Sequence, residues 1–155
     1  ANRYGATPLS LACVNGSGAM VELLLKAGAD PNSTSAEGET ALMTCARTGR
    51  VEPVKALLAR AAVVDAKETQ RGQTALMWAA AEGHAEVVEA LLQAGADPKY
   101  RLASGYNAFL LAVREGQTAV VRVLLKAGMD VNEPMRSPEQ TSRDRLIVSP
   151  NQSEL

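Results

Sequence analysis

The chain predicts an all-helical solenoid of four stacked helix-turn-helix units, and three observations carry that expectation. Gly5, Gly38, Gly72 and Gly105 each open a stretch that repeats one residue pattern, at intervals of 33, 34 and 33 residues. Self-similarity at that period marks stacked supersecondary units rather than one globular core. Further landmarks keep the register: Gly16, Gly49, Gly83 and Gly116, and then Gly28, Ala61, Gly95 and Gly128, so that one of these positions alone has lost its glycine. The third observation is helical periodicity, seen in Val87, Val88, Leu91 and Leu92 with Glu86, Glu89 and Gln93 between them, which leaves one face apolar and one wet.

Each unit opens with a helix rich in small residues, such as Ala12 and Cys13 in the first unit and Ala79, Ala80 and Ala81 in the third. Small side chains let neighbouring helices approach closely. The second helix is the amphipathic one. It ends at Gly28, Gly95 or Gly128, where a left-handed residue commonly stops a helix and glycine adopts that conformation without penalty. Ala61 leaves two alternatives open. Either its backbone is left-handed at a cost of roughly 1 kcal/mol, or the turn is built differently, as the extra residue before Gly72 suggests. Asp30, Asp97 and Asp130, followed by Pro31, Pro98 or Val131, then start a polar connection of about ten residues with turn-forming chemistry.

The pattern GxTPLxxAxxxGxxxxVxxLLxxGADxN resembles the ankyrin repeat. GATPLSLACVNG, GETALMTCARTG, GQTALMWAAAEG and GYNAFLLAVREG match its first helix, and VELLLKAGADPN, VKALLARAAVVD, VEALLQAGADPK and VRVLLKAGMDVN its second. The resemblance implies an ankyrin-repeat solenoid with finger loops over residues 1–133, in repeats of about 1–33, 34–66, 67–100 and 101–133. It fades in the last unit, where NAFL replaces the TPLH tetrapeptide, and it is absent from a non-repeat tail or linker, 134–155.

Composition excludes several classes. The 155 residues are 46% hydrophobic, enough for one folded domain. A net charge of -1 and 3% aromatic residues offer neither a basic face nor a base-stacking platform, so no nucleic-acid partner is expected. No apolar run approaches the roughly 18 residues of a membrane span, and ANRYGATPLS has no signal-peptide character. The expectation is a soluble, monomeric segment of a longer polypeptide, in a compartment that the sequence does not name.

Cys13 and Cys45 stand at small-residue positions of consecutive first helices and are read as packing residues. A disulfide needs Cα atoms closer than about 7 Å, whereas packed helices sit about 8–10 Å apart. An unbridged pair is therefore expected, which permits a reducing cytoplasm.

No catalytic, metal-binding or cofactor-binding set can be assembled. The chain has one histidine, His84; the resemblance gives it a structural role, satisfying backbone at the mouth of the second helix. There is no CxxC pair, and the carboxylates are scattered along solvated helix faces, so neither a zinc site nor a histidine-based triad is available. Glu86 and Glu89 lie one turn apart and read as solvating residues. Ser10 and Ser17 lack a GxSxG context, and no glycine run forms a phosphate loop. The chain is not expected to be an enzyme.

What remains is surface. The resemblance implies that partner contacts line a concave side built from fingers and first helices, at the variable positions of each unit. The candidates are Arg3 and Tyr4 in the first unit, Glu37, Glu39 and Arg47 in the second, Arg71, Gln73, Trp78 and Glu82 in the third, and Tyr106 and Arg114 in the fourth. Arginine, tyrosine and tryptophan are enriched at binding hot spots because they bury large area and still make hydrogen bonds. Trp78 replaces Leu11, Thr44 and Leu111 of the other units and has two readings, core filling and concave-face contact. Met43 and Met77 read as adaptable packing.

The tail carries Pro134, Pro138 and Pro150 and no glycine. Residues 134–142 are expected to be extended, with Leu146, Ile147 and Val148 docking on the last repeat or on a neighbouring molecule. The function expected is a non-catalytic protein-protein interaction module binding a protein partner on its concave face. The alternative is a structural spacer or covering domain of a larger multidomain protein.

Overall fold

The computed structural model describes residues 5–136, 139–140 and 142–143. Eight helices follow in pairs among these residues: α1 Pro8–Asn15, α2 Gly18–Lys26, α3 Ala41–Thr48, α4 Val51–Ala59, α5 Ala75–Glu82, α6 Ala85–Gln93, α7 Ala108–Arg114 and α8 Thr118–Lys126. Within each pair the helices pack on one another, and between pairs odd helices stack on odd and even on even. Among the described residues there is no strand; an isolated antiparallel bridge joins Thr34 to Thr40 across the first finger.

Local chemistry accounts for every helix start in the odd series. Thr7, Thr40, Thr74 and Asn107 are extended N-caps whose side chains accept from the amides of Ser10, Met43, Met77 and Leu110. Each bond satisfies one of the donors a helix leaves orphaned at its start. Asn107 does so at a cost: its side chain is fully buried, and its Nδ2 finds no acceptor among the described residues.

The even helices all stop in the same way. Ala29, Ala62, Ala96 and Met129 donate backbone N–H five residues back to Leu24, Leu57, Leu91 and Leu124, which is the long bond of a Schellman turn. Ala61 has φ 63° and, among the described residues, is the only non-glycine with positive φ. The second unit therefore keeps the common turn and carries a Cβ in a left-handed position. The turn is clamped from the preceding unit: Asn32 Nδ2 donates to Ala61 O at 3.2 Å and its Oδ1 accepts from Val63 N at 2.8 Å.

The core is a row of register-equivalent side chains, with Leu9, Leu42, Leu76 and Phe109 between the helix layers. Val21, Val54 and Val88 continue it in the second helices. Met43 and Met77 are buried, as expected of packing residues. The opening glycines have a further role: a Cβ on Gly5 would lie 3.3 Å from Ala36 N, on Gly38 3.2 Å from Thr69 N, and on Gly105 2.9 Å from Arg136 O. The backbone of the following finger thus passes over Gly5, Gly38 and Gly105 at a constant offset of 31 residues, whereas Gly72 is approached by the Tyr100 hydroxyl.

Two expectations need correction. Cys13 and Cys45 form a disulfide, with Cα atoms 4.7 Å apart. The spacing of about 8–10 Å holds between helix axes, but Cα atoms ride about 2.3 Å off each axis. On facing sides they come within disulfide range wherever both side chains are small. The second correction concerns the tail, where residues 139–140 and 142–143 are helical rather than extended. Ser137, Pro138, Glu139 and Gln140 stand in an order that starts helices. Leu146, Ile147 and Val148 lie outside the described residues.

Candidate functional site

One register position of the first helices is filled by Leu11, Thr44, Trp78 and Leu111, of which Thr44 and Leu111 are buried, and the next turn by Val14, Arg47, Ala81 and Arg114. The fingers supply the facing wall. Where the second and third units meet, they enclose a cleft of about 270 Å³ lined by Glu37, Glu39, Arg47, Glu68, Gln70, Arg71, Gln73 and Trp78.

Arg47 organises one side of this cleft. Its Nη2 donates to Glu39 Oε1 at 2.9 Å, and Thr44 Oγ1 donates to the same oxygen at 3.1 Å. The guanidinium lies 5.7 Å from the centroid of the Trp78 ring, within cation-π range. Trp78 is half-buried, packed against the core with its ring toward Arg47. Its Nε1 is buried and has no acceptor among the described residues.

Glu68 organises the other side. Its carboxylate accepts from the backbone N–H groups of Gln70, Arg71 and Gln73, at 2.6, 2.9 and 2.9 Å. Burial would push its pKa up, but these three donors and the Arg71 charge outweigh it and hold the carboxyl below its ordinary value. Behind it, Tyr100 donates its hydroxyl to Gly72 O at 3.0 Å, and Lys67 Nζ sits 4.3 Å above its ring. Burial, together with the Glu68 charge, raises the Tyr100 pKa. Glu68 and Tyr100 escaped the sequence reading. The available signal was a carboxylate at the start of the ETQRG turn, where it can cap backbone amides.

Of the expected contact residues, Glu37, Glu39, Arg47, Arg71, Gln73 and Trp78 are brought together in this cleft. Tyr106 and Arg114 form a separate cluster on the fourth unit, with the guanidinium 4.8 Å from the ring centroid and Arg114 Nε donating to Glu115 Oε1 at 2.7 Å. The hydrogen bonds to Glu115 and Tyr106 raise the Arg114 pKa further. Glu82 is exposed at the end of α5 and does not line the cleft. Arg3 and Tyr4 lie outside the described residues. A second cleft of about 180 Å³ runs between the first two units, with Leu11 and Val14 on one wall and Thr44 and Arg47 on the other.

His84 makes a contact that the sequence reading misplaced. It is the N-cap of α6 but gives no side-chain cap; its Nε2 lies 2.9 Å from Arg47 O, at the end of α3. Gln117, at the equivalent position, donates Nε2 to Ala81 O at 2.9 Å. These side chains reach back to the preceding unit and tie consecutive units in register.

Among the described residues, no three histidine, cysteine or carboxylate side chains come close enough to hold a metal ion. No helix among them is long and apolar enough to cross a membrane. The family model for ankyrin repeats (3 copies) matches residues 9–102 and 64–135. The chain is also 42% identical over 59 residues to the protein described as fem-1 homolog A-like from Mus musculus. That match covers 38% of this chain and 9% of the relative's length. As a family, ankyrin repeats are protein-protein interaction modules and generally non-catalytic.

Proposed function

The chain belongs to the ankyrin repeat family, and from that premise we propose that it is a non-catalytic module that binds a protein partner in the concave cleft around Trp78. The observation that carries this reading is the cleft itself. It gathers an aromatic ring and two arginines from neighbouring units within a volume of about 270 Å³. Such anchors account for most binding energy at protein interfaces. The pairing of Arg47 with Glu39 and of Glu68 with backbone amides holds the cleft walls in place before a partner arrives, which lowers the ordering cost of association. The repeat boundaries at about 33, 66, 100 and 133 and a monomeric state belong to the same reading, as does the absence of nucleic-acid and membrane partners.

Affinity capture with the full chain, followed by titration of the captured protein against variants, tests the proposal. Alanine at Arg71 or Trp78 should weaken binding by about 1–3 kcal/mol for whichever is a hot spot. Arg114→Ala reports on the separate cluster of the fourth unit. Binding that is indifferent to all three substitutions would favour the spacer reading.

A further inference from the structure

Consecutive first helices stack on one another. In the repeat register of the first such interface, the inner interfaces carry Ala46 with Ala79 and Ala80 with Ala112, all fully buried. At the first interface the same register holds Cys13 and Cys45, joined by a disulfide. The covalent link therefore occupies a position that elsewhere needs only alanine.

This interface joins the first helix pair among the described residues to the second. Met20 and Leu23 are 46% and 66% exposed, whereas Val87 and Ala90, at the same register in the third unit, are 0% and 8% exposed. A unit packed on one side only lifts off more readily than an internal one. The reduced state is also accommodated, since the Cys13 sulfur lies 3.2 Å from Ala41 O, an acceptor for a thiol hydrogen. Reduction therefore leaves the Cys13 thiol an acceptor, while the two sulfurs must move apart within the interface.

We propose that Cys13 and Cys45 form a thiol-disulfide exchange site at which a small-molecule disulfide, such as glutathione disulfide, locks the first unit onto the second. In the exchange one cysteine thiolate attacks a sulfur of glutathione disulfide; that S–S bond breaks, a mixed disulfide forms and one glutathione thiolate leaves. The second cysteine thiolate then attacks the protein-bound sulfur, closes the Cys13–Cys45 bond and expels the second glutathione. The two cysteines give up two protons and two electrons, and two molecules of reduced glutathione carry them away. Excess reduced glutathione runs the exchange backwards.

Both sulfurs are fully buried, so neither direction proceeds in the closed stack. The first unit must lift from α3 to admit the reagent, and the bond suppresses that same motion once formed. The site thereby sets how firmly α1 holds its wall of the second cleft, where Leu11 and Val14 face Thr44 and Arg47. This last consequence rests on the concave-face reading; the lock itself does not.

The full chain, equilibrated in glutathione buffers of graded ratio, tests the lock. Peptide mapping without reduction reads the bridged fraction, and amide exchange reads the docking of the first unit. Glutathione disulfide in excess should give the intramolecular bridge. Reduction should speed exchange in residues 8–26 by about tenfold or more, because a cross-link closing a loop of this length restrains the opened state, and leave residues 85–93 unchanged. A Cys13→Ala/Cys45→Ala variant, which recreates the inner alanine pairs, should exchange at the reduced rate in either buffer. Absence of the bridge in excess glutathione disulfide, or equal protection of residues 8–26 in both states, overturns the proposal. Partner binding indifferent to the redox state, with these exchange differences intact, would count against the concave-face reading alone.

Discussion

Ala61 shows how a single residue can keep a turn while working against it. Its φ of 63° matches the left-handed cap that glycine makes in the other units, and the side chain is exposed, so it contributes little packing there. Ala61→Gly removes the Cβ conflict but loosens the unfolded chain, and where φ is positive the first effect is the larger. We expect a gain of about 0.5–1 kcal/mol, read as a raised thermal midpoint. An unchanged or lower midpoint would mean that the two hydrogen bonds from Asn32 absorb the strain. The same scale explains what the sequence hid about Cys13 and Cys45. Their small-residue positions were legible, but bridging depends on Cα separation at the contact, which follows from how closely two separate helices stack.

At the scale of the element, the finger preceding the third unit is held by one carboxylate. Glu68 receives three backbone N–H donors and is 8% exposed, so Glu68→Gln leaves donors facing a neutral amide. The expected loss at neutral pH is about 2 kcal/mol, the order of a hydrogen bond to a charged group. Because the folded-state pKa is depressed, this stabilisation is fully present above the ordinary carboxylate range. It is lost as the pH falls through the lower folded value. The gap between wild type and variant should therefore close on acidification, as measured by denaturant unfolding at successive pH values. A gap that widened in acid would contradict the assignment. The helices were more legible than this finger. Threonine caps and apolar periodicity are local signals, whereas the role of Glu68 depends on the backbone path of residues 70–73.

For the whole molecule, stability in a linear stack is close to a sum of unit and interface contributions. Among the described residues, the units bearing α3 and α5 have neighbours on both sides, while those bearing α1 and α8 have a described neighbour on one side. Native-state amide exchange of the reduced chain should be slowest in α3 and α5 and faster in α1, α2 and α8. Uniform protection throughout would show a single cooperative block. At the C-terminal end, Arg101 pairs with Glu133 and donates from Nη1 to Gly105 O at 2.7 Å. The chain passes over Gly105 at Arg136 with the offset of the earlier fingers. The repeat geometry thus persists three residues beyond Glu133, the last residue in which the sequence pattern is recognisable.

The sequence by itself determined the period, the pairing of a small-residue helix with an amphipathic one, and the caps and turns that bound them. It could do so because each of these is decided by residues a few positions apart. Through its resemblance to ankyrin repeats it also marked Glu37, Glu39, Arg47, Arg71, Gln73 and Trp78 as surface candidates. Tertiary structure alone decided which of them share a cleft, that Arg47 covers Trp78, that His84 and Gln117 reach back to the preceding unit, and that Cys13 meets Cys45. Those outcomes turn on the distance and rotation between units, which arise from the fit of whole helix faces and are not encoded in the pattern of any one repeat.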